Sequence, residues 1–122
     1  MKKPPFYKSL AFAFKGLFLM LKNERNFQIE LIAFLVNIGL IGFFRINYIE
    51  ASFIILACGL VLVAEILNTA IEKLCDFAEP NFHSKIGIIK DISASAVLLA
   101  TLFAVIIGIL IYWPYLENLL SL

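Results

Sequence analysis

The sequence predicts an all-α integral membrane protein in which an N-terminal amphipathic surface helix precedes three transmembrane helices. Hydrophobic residues make up 62% of the 122 residues, charged residues only 16%, and the mean hydropathy is +0.97. Soluble globular chains contain about 45–50% apolar and about 25% charged residues, so this chain is too apolar for a soluble domain. The charges are clustered as well, and they leave three uncharged windows at residues 31–44, 51–64 and 92–116.

Of these windows, only the third is long enough to cross a bilayer without its flanks. A helix over residues 92–116 is about 37 Å long, whereas a hydrocarbon core is about 30 Å thick. The other two windows hold 14 residues each, so their helices must extend to span, carrying Glu30 and Glu65 with them. We expect a surface helix at about residues 6–25 and spans at about 27–48, 49–76 and 88–114, within a single domain covering residues 1–122.

The N-terminal segment combines a basic start with an apolar run, a pattern shared by signal peptides and surface helices. Lys15 interrupts the apolar run, and no small-residue cleavage site follows it before Lys22. Lys8, Lys15 and Lys22 recur every seven residues, which places them on one side of a helix. An amphipathic helix lying on the membrane surface is therefore the favoured interpretation.

The distribution of lysine and arginine predicts the orientation in the membrane. Six precede the first span, one lies in the first loop, three lie between the second and third spans, and none follows the third. Basic residues concentrate in cytoplasmic segments, so the N-terminus and the second loop are predicted to be cytoplasmic. Trp113 and Tyr115 suit an aromatic belt at the opposite interface.

One face of the second predicted span carries acidic and amide side chains. Glu65, Asn68, Glu72 and Asp76 are spaced three, four and four residues apart, which places them within an arc of about 80° on a helix. Ionisable groups at membrane depth are costly and usually mark a functional site. The alternative is that Glu72 and Asp76 belong to a solvated helix end and pair with Lys73 or Lys90.

The predicted topology brings Glu24, Lys90 and Asp91 to the same membrane face as this acidic helix. Carboxylates without a cluster of thiolates or histidines favour a hard cation such as Mg²⁺, completed by phosphate oxygens and water, over Zn²⁺. His83, the single histidine, is more often structural or solvated than a ligand in such a position. The six glycines form neither a Walker A loop nor a dinucleotide-binding turn, so a nucleotide site must be built from helix-borne side chains.

Three sequence blocks resemble the prokaryotic diacylglycerol kinase family, which includes undecaprenol kinases. They are KNERNF at residues 22–27, EILNTAIEKLCD at 65–76, and Phe82-His83 followed by IKDISASAV at 89–97. The resemblance implies a homotrimeric kinase of the bacterial cytoplasmic membrane that transfers the γ-phosphoryl group of MgATP to a lipid hydroxyl. The acceptor is either diacylglycerol or undecaprenol, and the sequence leaves this choice open.

The resemblance also implies roles for individual residues. The general base falls on Glu65, and the metal-binding carboxylates fall on Glu24 and Glu72. The nucleotide-binding positions fall on Glu24, Glu72, Asn81, Phe82, His83, Lys90, Asp91 and Phe12. The substrate-binding positions fall on Glu65, Asn68, Asn26, Phe27, Gln28, Ile29, Glu30 and Ala94.

A second function class explains part of the pattern. A small transporter or channel subunit could use Glu65 as an intramembrane proton relay or cation ligand. That hypothesis leaves Glu24, Lys90 and Asp91 unexplained, so the lipid kinase is the favoured prediction. A non-enzymatic membrane adaptor explains none of these residues.

Overall fold

The computed structural model describes residues 2–121, and these residues form four α-helices joined by short turns. In chain order the helices are α1 (Phe6–Asn23), α2 (Arg25–Phe44), α3 (Tyr48–Ala78) and α4 (Ser84–Leu120). The prediction of an all-helical chain is confirmed. Helices α2, α3 and α4 are each long and apolar enough to cross a membrane, and most of their large apolar side chains point outward.

Helix α3 is the central element of the bundle. It packs most extensively against α4 and less extensively against α2, while α1 contacts α2. One stripe of α3 is buried, and its character changes along the helix. Toward the α2–α3 turn the stripe is apolar, with Ala51, Ile54, Ala57 and Val61, whereas toward the α3–α4 turn it contains Glu65, Asn68 and Thr69.

The apolar core lies at the α2–α3 turn. Ile46, Ala51, Ile54 and Ile111 are buried together there, and the rings of Phe44 and Tyr115 pack against them. Phe44 and Tyr115 have ring centroids 6.1 Å apart, within the range of favourable aromatic pairs. This core fixes the positions of α2, α3 and α4 at one end of the bundle and leaves the opposite end free for polar side chains.

Backbone turns set two helix ends that the sequence predicts less well. The first span, predicted to continue to about residue 48, ends at Phe44 because Arg45 adopts left-handed geometry with φ 53°. The Arg45 N–H then bonds the Gly42 carbonyl and the Ile46 N–H bonds the Ile41 carbonyl, the hydrogen-bond pattern of a Schellman motif. Glu24 is extended and separates α1 from α2.

Helices α3 and α4 run somewhat beyond the predicted spans. Helix α3 begins because the Asn47 side chain accepts a hydrogen bond from the Glu50 N–H, a standard N-terminal cap. Helix α4 extends from residue 84 to 120 and contains Pro114 near its end. It begins where His83 Nδ1 accepts a hydrogen bond from the Lys85 N–H at 3.2 Å, so His83 has a structural role at this turn.

Candidate active site

Carboxylates from three parts of the chain lie toward the α3–α4 end of the bundle. Glu24 comes from the α1–α2 joint, Glu30 from α2, and Glu65 and Glu72 from α3. The charge of Glu65 interacts with the charges of Glu72 and Glu24, and Glu30 interacts with Glu65. We refer to these four side chains as the acidic cluster. The negative charge of these side chains makes the cluster a favourable place for a cation.

Glu65 is the most enclosed member of the acidic cluster, with 4% of its surface exposed. It lies on the buried stripe of α3, and the Asn26 side chain from α2 lies beside its carboxylate. Asn68, one helical turn further along, is 7% exposed. The Asn68 Nδ2 donates a hydrogen bond to Glu72 Oε1 at 3.1 Å. Glu65, Asn68 and Glu72 therefore form a continuous polar row on one helix face.

The extended backbone at Glu24 places the Glu24 carboxylate against α3. The carboxylate makes no capping bond to α2 and instead lies 3.5 Å from Lys73 Nζ, in a pair whose lysine is largely exposed. Exposed ion pairs contribute about 0–1 kcal/mol, so little free energy is lost when Glu24 exchanges Lys73 for another partner. Gln28 Nε2 holds the joint by donating to the Leu21 carbonyl at 2.9 Å and the Lys22 carbonyl at 3.2 Å.

A second polar region follows at the α3–α4 turn. Asp76 of α3 and Lys90 of α4 form an ion pair across the turn, as the solvated-end alternative anticipated for Asp76, whereas Lys73 pairs with Glu24. A crevice of about 200 Å³ lies beside this pair, and Asn81, Phe82 and His83 line it together with Lys90. Phe82 is 94% exposed, so its ring is available to a ligand.

The remaining predicted site residues lie in different surroundings. Asp91, Ala94 and Ile29 are exposed on their helices, and Phe12 is exposed on α1. Phe27 is buried, with 3% exposed surface, and it packs inside the bundle. Within this single chain, four of the predicted nucleotide-binding residues share the crevice, whereas Phe12 and Asp91 are not among its lining residues.

The donor chemistry of the acidic cluster can be compared with that required by metal ions. Among residues 2–121, no three His, Cys, Asp or Glu side chains are arranged around one point as a complete metal site. Zinc and other all-protein sites need such a set, whereas Mg²⁺ usually takes one or two carboxylates and completes its shell with water and phosphate oxygens. The two carboxylates of Glu24 and Glu72 therefore fit Mg²⁺ that arrives with a phosphate ligand.

Comparison with known proteins agrees with this geometry. The family described as "Prokaryotic diacylglycerol kinase" matches residues 11–112. The diacylglycerol kinase of Escherichia coli strain K12 is 32% identical over 108 residues, which is 88% of both chains. The undecaprenol kinase of Bacillus subtilis strain 168 is 35% identical over 110 residues, which is 89% of both chains. A diacylglycerol kinase of Synechocystis is 31% identical over 96% of this chain and 67% of its own length.

The chain belongs to the prokaryotic diacylglycerol kinase family. It is accordingly a lipid kinase of the diacylglycerol or undecaprenol kinase type, and it is a multi-pass membrane protein of a bacterial family that uses ATP. This membership decides between the two function classes suggested by the sequence in favour of the kinase.

Two residues near the candidate site are not predicted by the sequence analysis. The sequence predicts Lys73 only as a partner of Glu72 or Asp76, because its pairing with Glu24 depends on where the α1–α2 joint lies. Ser93 is not among the predicted site residues, although it is 8% exposed and lies one helical turn after Lys90 on α4. A polar residue three positions from a predicted site residue on the same helix face is the signal that could have found it.

Proposed function

We propose that this lipid kinase transfers the γ-phosphoryl group of MgATP to the hydroxyl of a membrane lipid, with Glu65 as the general base. The observation that carries the proposal is the burial of Glu65 beside Glu24 and Glu72, about three helical turns of α3 before the crevice at the α3–α4 turn. A lipid alcohol has its hydroxyl at the membrane interface, so a carboxylate at this depth can reach it while ATP arrives from solvent.

In the proposed reaction, Glu65 accepts the proton of the lipid hydroxyl as the hydroxyl oxygen forms a bond to the γ-phosphorus. The bond between the γ-phosphorus and the β,γ-bridging oxygen breaks, and ADP leaves. General base catalysis of this kind contributes about 10²–10⁴-fold in rate. The burial of Glu65 excludes bulk water, which disfavours transfer of the phosphoryl group to water.

We assign Mg²⁺ to Glu24 and Glu72, supported by the oxygen-only donors and the weak Lys73 pair that Glu24 can exchange. When bound, Mg²⁺ offsets the charge of the phosphates and aligns them for transfer. Asn68 holds the Glu72 carboxylate by its 3.1 Å hydrogen bond, and this contact keeps one Glu72 oxygen directed along the helix. Asn68 is thus a positioning residue for the proposed metal carboxylate.

The nucleotide is assigned to the crevice at the α3–α4 turn. Lys90 supplies a positive charge for the phosphates there, and the exposed Phe82 ring can stack on the base. The Asp76 carboxylate holds Lys90 across the turn. Asp91 and Phe12 also remain proposed nucleotide contacts. We assign them to contacts that form once ATP or a second copy of the chain is bound.

The proposed assembly is a homotrimer, and the N-terminus and the α3–α4 turn are assigned to the cytoplasmic side. The acidic cluster is open at one side, since Glu24 retains 29% of its side-chain exposure, and neighbouring copies would enclose it. The orientation rests on the excess of basic residues in the segments assigned to the cytoplasm. In the trimer, Ala94 and the surface helix would provide further lipid contacts.

Phosphate transfer in mixed micelles tests the proposed reaction and distinguishes its two acceptors. Diacylglycerol and undecaprenol are offered side by side with MgATP, and both lipid phosphates are quantified for the wild type and Glu65→Gln. We expect wild-type transfer to one lipid, reduced at least about a hundredfold in Glu65→Gln. Folded wild-type protein that phosphorylates neither lipid in the presence of Mg²⁺ would contradict the proposal.

A further inference from the structure

Lys73 contacts the acidic cluster, and the reaction proposed above gives it no task. Among residues 2–121, only Lys73 forms an ion pair with this cluster. Its Nζ lies 3.5 Å from Glu24 Oε1, and its side chain is 71% exposed, whereas that of Glu24 is 29% exposed. Lys90, the other paired lysine of the described chain, is held by Asp76 at the crevice. Lys73 is therefore a solvent-exposed positive charge beside a proposed metal carboxylate.

The position of Lys73 on α3 explains this contact. Lys73 follows Glu72 by one residue, which turns it about 100° around the helix from the polar row. It lines the groove between α1 and α3, and the extended backbone at Glu24 lies where α1 ends. Lys22 and Arg25 flank Glu24 in sequence, but neither forms an ion pair within the described residues. The contact is thus made by the packing of the helices.

Nucleotide phosphates bring further negative charge to a cluster that is already acidic. Glu24 and Glu72 repel the phosphates unless cations lie between them. Mg²⁺ supplies two positive charges, and Lys90 supplies a third in the crevice. When Glu24 binds Mg²⁺, its pair with Lys73 is weakened, because the metal ion repels the ammonium and competes for the same carboxylate. The Lys73 ammonium is then released where the phosphates arrive.

The released ammonium is within reach of a phosphate oxygen. The ligands of Mg²⁺ lie about 2.1 Å from the ion in near-octahedral geometry, so neighbouring ligand oxygens are about 3 Å apart. A phosphate oxygen that shares the ion with Glu24 is therefore close to an ammonium that already lies 3.5 Å from this carboxylate. A lysine has a flexible four-carbon stem and three donors. Lys73 can make the exchange by side-chain rotation, without movement of α3.

We propose that Lys73 exchanges partners when the nucleotide binds. It holds Glu24 in the nucleotide-free protein, and it donates a hydrogen bond to a phosphate oxygen once Mg²⁺ has bound Glu24. In the first state Lys73 keeps the Glu24 carboxylate against α3 and offsets part of the charge of the acidic cluster. In the second state it binds the phosphates together with Lys90. This inference rests on the proposed function and adds a nucleotide contact and the event that forms it.

Binding measurements without turnover separate the two states. Mn²⁺ alone, followed by electron paramagnetic resonance, reports on the nucleotide-free site, and the Mg²⁺ complex of β,γ-methylene ATP, followed by calorimetry in micelles, reports on the loaded site. In Lys73→Met we expect Mn²⁺ alone to bind about twofold to fivefold more tightly, because a competing exposed ion pair is removed. The same variant should bind the analogue complex at least about threefold more weakly, since a charge-assisted hydrogen bond is lost.

Control variants separate the effect of charge from that of position. Lys73→Arg keeps the positive charge and should retain most of the affinity for the analogue complex. Lys85→Met removes one lysine charge from the same end of the bundle and should change neither affinity, because Lys85 is exposed and forms no ion pair within residues 2–121. Each variant must keep the wild-type thermal transition, and Lys73→Gln replaces Lys73→Met if the latter does not.

A second background tests whether Lys73 acts on the phosphates or only through Glu24. In Glu24→Gln the lysine has no carboxylate to hold, so adding Lys73→Met should still weaken binding of the analogue complex by at least about threefold. If this effect disappears in Glu24→Gln, or if Lys73→Met alone binds the analogue complex as tightly as the wild type, the proposed exchange is overturned. Folded wild-type protein that phosphorylates neither lipid would instead contradict the kinase reaction itself.

Discussion

The two ends of α3 use the same kinds of side chain in opposite ways. At the α2–α3 turn, the Glu50 carboxylate accepts hydrogen bonds from Asn47 and from the Tyr115 hydroxyl, the latter at 2.9 Å. Nearby, the Tyr112 hydroxyl donates to Asn37 Oδ1 at 2.7 Å. At the α3–α4 end, by contrast, Glu30, Asn68 and Ser93 each retain a buried oxygen without a partner.

This difference distinguishes polar side chains that hold the helices together from polar side chains that are available to a ligand. Polar groups in a membrane are satisfied wherever their role is to hold helices together, because each unpaired group costs free energy. Groups left unpaired by the protein are positioned for a ligand that completes them. Polar residues at the α2–α3 end should therefore control stability, and polar residues at the α3–α4 end should control activity.

The largest effect after that of Glu65 is expected at the proposed metal carboxylates. Glu72→Gln and Glu24→Gln should each lower kcat by on the order of a hundredfold and raise the Mg²⁺ concentration needed for half-maximal activity, because a carboxylate ligand is lost. Activity is measured across a Mg²⁺ titration in micelles. Glu117→Gln, at the exposed far end of α4, is the control. Mg²⁺ dependence that is identical in all three variants would contradict the metal assignment.

A smaller effect, on stability alone, is expected from a substitution near the α2–α3 turn, where the polar side chains are hydrogen-bonded to one another. Tyr112→Phe removes the hydroxyl that donates to Asn37, and interhelical hydrogen bonds in membranes contribute about 1 kcal/mol. The thermal transition in micelles should fall while kcat and both KM values stay unchanged. Tyr48→Phe, at a tyrosine that is 92% exposed, should change neither quantity. A Tyr112→Phe enzyme of normal stability but reduced kcat would contradict the prediction that the α2–α3 end affects stability alone.

The smallest effect is expected at the turn that joins α2 to α3. Left-handed backbone geometry is unfavourable for residues with a Cβ atom, so Arg45→Gly should stabilise the protein by about 0.5 kcal/mol after the entropic cost of glycine is subtracted. Arg45→Ala, which removes the same charge but keeps the Cβ atom, should give no such gain. Denaturant unfolding of both variants makes the comparison. Equal stabilities of the two variants would argue against backbone strain at Arg45.

The acidic face of α3 could be predicted from the sequence because it depends only on helical spacing. The same holds for the three long apolar helices, which follow from where charges are absent. The end of α2 at Phe44 was not predictable in this way, since arginine rarely adopts left-handed geometry. The Lys73–Glu24 pair and the burial of Ser93 depend on packing between helices, which spacing along one helix does not specify.

The most direct test of the central claim compares two glutamates on the same helix. Glu65→Gln removes one carboxylate charge toward the α3–α4 end of α3, and Glu50→Gln removes one at the α2–α3 end. The kcat and the thermal transition are measured for both variants. The account predicts that Glu65→Gln loses at least about a hundredfold in kcat at near wild-type stability, whereas Glu50→Gln loses stability and keeps its kcat. Equal losses of activity in the two variants, or full activity in Glu65→Gln, would contradict it.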